Sequence, residues 1–388
     1  MRLKATPADF VVREATSLRI RKEPAPYRVY MLEKQDWNTT DALARIAKDR
    51  RISYDRIGYG GKKDRHAHTF QYVTVHQHPQ DLSLTSKGYS LQMLGYSMEP
   101  MEPSKIVSNH FEVTVRELRP EEAGRLAAAV GRVKETGMPN YFDDQRFGNY
   151  DKERGFIAER MLQGKWEEAL NMALTSIHPE EHKDAKQRKR ELRQRWGDWA
   201  ACRALAQTAF EQRSFDLLLA GGPGPFKAAL ATANRETALL WVSTYQSFLW
   251  NETLRRLLAE KGWSGASVPG AAGDYVFPTE AGRLGDLVIP LPGRGMRFPS
   301  PETGLIMEEI LQERRLRPAS LDGEVLPGLG FKASPREALV RPAGLWVDPP
   351  EPDELYPGFQ KLLLRFSLPR GSYATMLVKA LQAVGAHP

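Results

Sequence analysis

Strand-like segments lie at both ends of the chain, and a long helical segment separates them. Residues 10–14, 27–32 and 70–75 are rich in β-branched and aromatic side chains, as strands are. From residue 151 to 262 the apolar residues recur at helical spacing instead. Strand character returns in residues 362–366. This order predicts an α+β domain, formed by both ends of the chain, that carries a mostly helical insertion.

Capping residues and apolar spacing predict further elements. They are a helix after the N-cap residue Asn38, a strand over residues 111–116, a helix opened by Pro120, a helix over residues 236–259, loops or short strands over residues 264–301, and a helix over residues 372–381 capped by Ser372.

The composition narrows the class of protein. A chain of 388 residues with 41% apolar residues suits two domains. The net charge of +7 and the pI of 9.3 favour nucleic acid as a partner, because the basic residues do not form one amphipathic membrane anchor. The start of the chain lacks a signal-peptide core, so we expect a soluble cytoplasmic protein. Cys202 is the only cysteine, which excludes disulfides within the chain and cysteine-based zinc sites.

Residues 60–71, GGKKDRHAHTFQ, hold a single carboxylate, Asp64, in a run of three cations and two histidines. Cations nearby favour the charged form of a carboxylate. An ionised carboxylate in a basic loop suits an enzyme that attacks a polyanionic substrate covalently. A salt-bridged surface turn is the alternative, since most such clusters are surface features.

Two other interpretations of this window fail. No Ser or Thr follows Lys62 at the spacing of a Walker loop, and no dinucleotide-binding fingerprint is present. His66 and His68 alternate as on a strand, but no second histidine cluster completes a metal site with Asp64. We therefore expect no metal and no cofactor, and we interpret both histidines as polar lining or phosphate contacts.

A second dense window, residues 139–148, has aromatic rings, an amide and an arginine between a proline and a glycine. This composition suits a loop that stacks on a base and hydrogen-bonds its edge. A hydrophobic loop that plugs the insertion is the alternative. Asp143 and Asp144 are adjacent and point apart, so we interpret them as structural residues rather than as a two-carboxylate catalyst.

Two further features concern RNA contacts. Tyr373 follows a glycine turn at the start of the last predicted helix, where its ring can face a cleft or pack the helix against the sheet. Residues 183–195 hold seven Lys or Arg residues and two acidic ones, a net charge of +5. Such a run is either a solvated helix face or a surface that binds phosphates.

The three windows closely resemble, in this order, motifs of the TruD family of tRNA pseudouridine synthases. The matching stretches are GGKKDRHAHTFQ at 60–71, NYFDDQRFG at 140–148 and FSLPRGSYATML at 366–377, with four more at 3–12, 34–39, 246–251 and 291–293. They span nearly the whole chain and are weakest between residues 163 and 232.

The resemblance implies the pseudouridine synthase fold, a mixed and mainly antiparallel sheet with flanking helices, carrying a large helical TRUD insertion domain. The implied catalytic domain comprises residues 1–155 and 340–388, and the insertion comprises residues 156–339. The implied arrangement is a V-shaped molecule with tRNA in a basic cleft. We expect a monomer that binds tRNA and does not associate with a membrane.

The resemblance also assigns roles to single residues. Asp64 falls on the family's catalytic aspartate, and Lys4 falls on its active-site lysine. Phe10, Asn140 and Tyr373 fall on positions that contact the target nucleoside, and Phe142 belongs to the same loop as Asn140. Lys63 and Arg65, the cations that flank Asp64, are further candidates for substrate binding. The chain departs from the family pattern at Asp143, where glycine is frequent, and at Tyr373 and Trp250, where phenylalanine occurs in other members.

The implied reaction is isomerisation of uridine to pseudouridine, with Asp64 as catalytic acid or nucleophile. The resemblance points to uridine 13 in the D-arm of tRNA as the target. The residues do not decide whether Asp64 adds to the base or sugar or removes a sugar proton. A non-catalytic RNA-binding protein is one alternative. An RNA methyltransferase is another, disfavoured because the sequence has no glycine-rich cofactor loop after a first strand.

Overall fold

The strands predicted near the start of the chain form part of one large sheet. The structure, a computed structural model, describes residues 1–78, 80–178, 181–263, 265–278 and 287–386. The chain forms two compact units: unit 1 is Met1–Met138 with Val340–Pro388, and unit 2 is Pro139–Leu339. The domain limits predicted at residues 155 and 339 stay a prediction, while compactness divides the chain after Met138 and after Leu339.

The first part of unit 1 alternates strands and helices. Its elements are β1 (Phe10–Thr16), β2 (Tyr27–Gln35), α1 (Thr39–Asp49), β3 (Ile57–Tyr59), β4 (His68–His76), β5 (Leu84–Ser86), β6 (Tyr89–Ser97), β7 (Ile106–Leu118), α2 (Pro120–Thr136) and the short β8 (Met138–Pro139).

Unit 2 is mostly helical, as predicted for the insertion. Its elements are α3 (Ile157–Leu162), α4 (Trp166–Thr175), α5 (Lys183–Gln194), α6 (Trp199–Leu205), α7 (Ala209–Ala220), α8 (Pro225–Leu230), α9 (Arg235–Glu260), β9 (Gly265–Val268), β10 (Tyr275–Pro278), β11 (Val288–Leu291), α10 (Pro301–Glu313), β12 (Glu324–Leu326), β13 (Leu329–Gly330), β14 (Ser334–Glu337) and β15 (Leu339–Val340). Short strands occur in the stretch 264–301 as predicted, and its residues 264 and 279–286 lie outside the described residues.

The end of the chain returns to unit 1. Its elements are β16 (Ala343–Val347), β17 (Glu351–Pro352), β18 (Gln360–Pro369) and α11 (Ala374–Ala386). The helix predicted over residues 372–381 is confirmed, but its predicted cap is wrong, because Ser372 Oγ is buried without a hydrogen-bond partner in the described part of the chain.

Ten of the described strands of unit 1 form one sheet in the order β16-β18-β7-β1-β4-β2-β6-β5, with β17 on β18 and β3 on β4, while the short β8 pairs with β15 instead. β1 and β4 run parallel, while β7 runs antiparallel to both β1 and β18. The last strand to be synthesised therefore lies inside the sheet. This mixed, mainly antiparallel sheet confirms the predicted α+β fold class.

Alternating side chains bury one face of the sheet. Tyr30 and Leu32 of β2 and Val73 of β4 pack with Leu43 and Ile46 of α1 in one apolar core. Their period of two in the strands and of three to four in the helix is the pattern from which both elements were predicted. α2 and α11 pack on each other. None of the described helices combines the length and apolar character that crossing a lipid bilayer requires.

Candidate active site

Asp64 lies in the loop between β3 and β4, and its carboxylate meets Lys4. Lys4 Nζ donates to Asp64 Oδ2 at 2.5 Å. The side chain of Asp64 is 38% exposed and that of Lys4 only 15% exposed. Oδ1 of Asp64 has no hydrogen-bond partner among the described residues. Lys4 and Asp64 thus form an ion pair in unit 1 that engages one carboxylate oxygen, and the catalytic role predicted for them stays a prediction.

A buried ionic cluster fixes the segment that carries Lys4. Arg116 donates to Asp9 Oδ1 and to Asp353 Oδ1, both at 2.8 Å, and to Glu354 at 2.9 Å. Asp9 also accepts from the backbone of Thr6 at 2.7 Å. These bonds hold the turn directly after Lys4, whose own backbone is left-handed with φ of 56°.

Two polar side chains behind the loop hold its backbone. The N–H of Lys63 donates to Thr39 Oγ1 at 3.0 Å, and Thr39 Oγ1 donates to Gln71 Oε1 at 2.9 Å. Gln71 Nε2 in turn donates to the carbonyl of Gly61 at 3.1 Å. A side chain at Gly60 would collide with Ile106, since its Cβ would lie 2.6 Å from Cδ1. Gly60 therefore allows the loop to pack closely on Ile106, whereas a Cβ at Gly61 would have no neighbour within 4 Å among the described residues.

Lys34 of β2 is the fully buried lysine of the described residues, with 1% of its surface exposed. Its Nζ donates to the backbone carbonyl of Asp64 at 2.7 Å. Burial lowers the pKa of Lys34 to about 8, while the Asp64 carboxylate opposes that decrease. The sequence signalled this residue only as the first position of a matching window.

The other charged residues of the loop differ in accessibility. The Lys63 ammonium lies 2.8 Å from the buried Glu14 carboxylate and donates to Asn109 at 2.6 Å, and its side chain is only 10% exposed. Arg65 is exposed and reaches the Asp36 carbonyl at 3.4 Å. Of the two predicted substrate contacts, only Arg65 thus presents its charge to solvent.

The two histidines pair with carboxylates near the loop. His66 Nδ1 lies 3.2 Å from Asp36, and His68 Nε2 lies 2.7 Å from Glu33. In the described residues, no group of three or more His, Cys, Asp or Glu side chains is placed to hold a metal ion.

The predicted aromatic contacts of unit 1 occupy different environments. Phe10 is 3% exposed, with the Lys4 ammonium 4.3 Å from its ring centroid and Phe111 packed edge-on at 6.1 Å. The ring of Phe10 therefore packs against the ammonium group of Lys4, which is paired with Asp64. Tyr373 is half-buried directly before α11, and its carbonyl accepts the N–H groups of Met376 and Leu377.

In unit 2, Asn140 and Phe142 are buried and are held by Arg336 of β14. Arg336 Nη2 donates to the Asn140 carbonyl at 2.5 Å and to its side-chain Oδ1 at 3.0 Å. The Arg336 guanidinium also lies 4.0 Å from the Phe142 ring centroid. Nothing in the sequence signalled Arg336, because it lies far from Asn140 in the chain and outside the matching windows.

The helix α9 completes this loop. Asn251 accepts the N–H of Phe142 at 2.8 Å and donates to its carbonyl at 2.9 Å. Asp144 Oδ1 accepts from Ala271 N–H at 2.7 Å and from Tyr275 hydroxyl at 2.8 Å. The structural role expected for Asp144 is confirmed by these bonds.

A cavity of about 390 Å³ in unit 2 is lined by several arginines, among them Arg154. Arg154 donates to Asp151, Asn171, Thr175 and Ser176, so its guanidinium group is engaged in hydrogen bonds within the protein. The lining also holds Glu159, which pairs with Arg314 at 3.4 Å, but the Glu159 side chain is only 4% exposed. We do not assign the reaction to this cavity.

The basic run forms α5 and its C-cap residue Arg195, and five of its seven cations fall into two groups. Arg188 pairs with Glu211 at 2.7 Å, and Lys189 pairs with Glu181 at 2.6 Å. Lys183, Arg190 and Arg195 are exposed and make no ion pair with another described residue. An RNA-binding surface on α5 would therefore use the second group.

The chain is similar to known proteins over a range that includes the windows carrying these residues. The sequence model of the family "tRNA pseudouridine synthase D (TruD)" matches residues 1–284 and 280–381. The chain belongs to this family. The tRNA pseudouridine synthase D of Leptospira interrogans is 29% identical over 98% of this chain and 95% of its own length. That of Aquifex aeolicus is 29% identical over 98% of both chains.

A solved structure agrees with the TruD assignment. A crystal structure of a TruD protein from Methanosarcina mazei has 25% sequence identity to this chain and a TM-score of 0.73. The similarity covers 98% of this chain and 93% of that one. The predicted pseudouridine synthase fold is thereby confirmed.

Proposed function

We propose that the protein isomerises uridine to pseudouridine in tRNA, at uridine 13 of the D-arm, and acts as a cytoplasmic monomer. The observation that carries the proposal is the geometry of Asp64, a partly exposed carboxylate with one oxygen bound to Lys4 at 2.5 Å. Membership of the TruD family and a net charge of +7 support an RNA substrate.

The chemistry asks for one carboxylate and a way to hold a detached base. The bond between N1 and C1′ breaks, the uracil turns, and C5 joins C1′. C5 then loses its proton and N1 takes one up, so the product is an isomer of the substrate. Asp64 starts this either by adding to the base or sugar or by removing a sugar proton. A uridine paired or stacked in tRNA must first be flipped out, which costs a few kcal/mol.

The remaining site residues take supporting roles in this proposal. Lys4 fixes the Asp64 carboxylate and Phe10 packs beneath the Lys4 ammonium. Asn140 and Phe142 are the proposed substrate contacts of unit 2, in a loop that Arg336 and Asn251 hold in place. The proposed contacts with RNA around the reacting uridine are Tyr373, Arg65 and Lys63.

The direct test is to incubate the protein with unmodified tRNA and to map pseudouridine by carbodiimide-blocked primer extension. We expect one stop, at position 13. A stop at another position contradicts the proposed site, and no stop contradicts the proposed activity. Mass spectrometry of the product separates the alternatives, because pseudouridine leaves the RNA mass unchanged whereas methylation increases it.

Tyr373→Phe should retain most of the activity, and Tyr373→Ala should lose most of it. Stacking on a base needs the ring and is worth about 1–3 kcal/mol by alanine substitution. Single-turnover rates and KM for tRNA should be measured for both variants. A phenylalanine variant as inactive as the alanine variant would show that the hydroxyl, and not the ring, is required.

Changing Lys183, Arg190 and Arg195 together to Ala should increase KM for tRNA and flatten its salt dependence by about one to two units of slope, since each phosphate contact contributes roughly 0.7–0.9. Turnover at saturating tRNA should change little. Arg188 and Lys189 are left intact because their side chains are paired with carboxylates.

A control variant should remove the same charge elsewhere. Lys22, Lys48 and Lys87 are exposed in unit 1, and their joint replacement by Ala should leave the slope nearly unchanged. Equal flattening in the two triple variants would assign the effect to net charge rather than to α5.

A further inference from the structure

Lys34 has an environment that is costly for a charged group. It is 1% exposed in the middle of the sheet, where β2 lies between β4 and β6. Among the described residues, the backbone carbonyl of Asp64 is the hydrogen-bond acceptor that its ammonium group reaches, and no carboxylate forms an ion pair with it. A buried charge with one neutral acceptor destabilises a fold relative to an apolar side chain of similar volume.

The acceptor of this costly charge is the residue that the proposed mechanism uses. Asp64 is held at two points: Lys4 binds its carboxylate at 2.5 Å, and Lys34 binds its carbonyl at 2.7 Å. Thr39 and Gln71 hold the backbone of Lys63 and Gly61. Without Lys34, the carbonyl of Asp64 would have no side-chain donor among the described residues, so the carboxylate could rotate with its backbone.

We propose that Lys34 is a positioning residue, whose charged ammonium group fixes the backbone of Asp64 so that its carboxylate keeps the reactive orientation. The inference rests on the proposed role of Asp64. A charged donor forms a shorter and stronger hydrogen bond than a neutral one. Small displacements of a catalytic group reduce rates strongly, because the reacting atoms leave their near-attack distance.

The inference has a pH consequence. The groups that act on Lys34 are Asp64 and Asp36, which favour its charged form, and Lys63, which disfavours it, and Tyr89 lies opposite it on β6. Because burial lowers the pKa of Lys34 to about 8, the ammonium is charged at neutral pH and loses its proton as the pH rises through 8. The turnover rate should fall over that interval.

The test is Lys34→Met, which keeps the length of the side chain and removes its charge. At pH near 7 we expect kcat to fall by about tenfold or more while KM changes less than about threefold, since the variant loses alignment rather than affinity. The rate decrease near pH 8 should disappear. The melting temperature should stay the same or rise, because an apolar side chain replaces a buried charge.

A matched control is Lys87→Met, because Lys87 is exposed in the turn between β5 and β6. It should behave as the wild type in rate, pH profile and melting temperature. A Lys34→Met variant with wild-type kcat, or with an unchanged alkaline decrease, overturns the positioning role.

If Lys34→Met fails to fold, the pH dependence of the wild-type rate tests the inference instead. A single-turnover rate that stays flat between about pH 7 and 9.5 overturns the inference, and a decrease centred near pH 8 supports it. The experiment also separates this inference from the proposed function. A wild-type protein that forms no pseudouridine contradicts the function itself, whereas an active wild type with an equally active Lys34→Met variant contradicts only the role of Lys34.

Discussion

Asp64→Asn should abolish turnover while leaving the affinity for tRNA within a few-fold of wild type. The amide has the shape of the carboxylate and can still accept from Lys4, but it is neither a nucleophile nor a base. Removing a negative charge cannot weaken the attraction of phosphates, so binding should persist or tighten slightly. Single-turnover formation of pseudouridine and a filter-binding Kd measure the two quantities, and Asp64→Ala should give the same result.

The matched control for this variant is Asp36→Asn. Asp36 is an exposed carboxylate beside the same loop, and its side chain contacts His66 rather than Lys4. Its φ of 55° is a conformation that Asn also tolerates. Asp36→Asn should keep most of the turnover. Asp64→Asn turnover above about one per cent of wild type would reject Asp64 as the essential group.

Arg116→Met should destabilise the protein by about 3–5 kcal/mol, because it leaves the buried carboxylates of Asp9 and Asp353 without their cation. Urea denaturation measures the loss. The control is Arg365→Met, which removes the partly exposed pair with Asp348 and should cost less than about 1 kcal/mol. Equal losses in the two variants would contradict a special role for the buried cluster.

The cluster also predicts acid sensitivity. Hydrogen bonds from Arg116 and Lys361 lower the pKa of Glu354 to about 2 from its usual 4.5, and the pKa of Asp353 is lowered as well, against the effect of its burial. Carboxylates with a depressed pKa stabilise the fold fully above their unfolded value, and that contribution is lost as the pH falls. Wild type should therefore lose stability between about pH 4.5 and 2 more steeply than Arg116→Met.

Local patterns predicted most elements because the apolar period is a local property. The strand β4, the helix α9 and the helical character of unit 2 follow from residue spacing alone. The order of the strands does not follow from spacing, because β7 pairs with β1, about 100 residues before it, and with β18, more than 200 residues after it. The position of Asp64 in a basic loop was evident from the sequence, and the resemblance of its motif to the family implied the role that we propose.

The partners of individual side chains could not be predicted from the sequence either, because they lie on distant segments of the chain. Arg188 and Lys189 belong to a basic run that indicated a free cationic surface, but carboxylates on other segments pair with both. Lys34 occurs in a strand pattern that gives no sign of how deeply its charge is buried. Arg336 reaches Asn140 only through the fold of unit 2. Each of these contacts depends on tertiary structure rather than on neighbours in the chain.

The place of β18 between β7 and β16 has a consequence for biosynthesis. A nascent chain that has reached Leu339 contains every residue of unit 2, yet β7 still lacks its partner along Ser108–Leu118. An unpaired strand edge of that length is a template for pairing with other chains. Unit 2 can fold before the last strand of unit 1 has been synthesised, because domains generally fold as units during synthesis. Ribosome stalling or truncation near residue 340 should therefore yield an aggregation-prone product with a complete insertion and an open sheet.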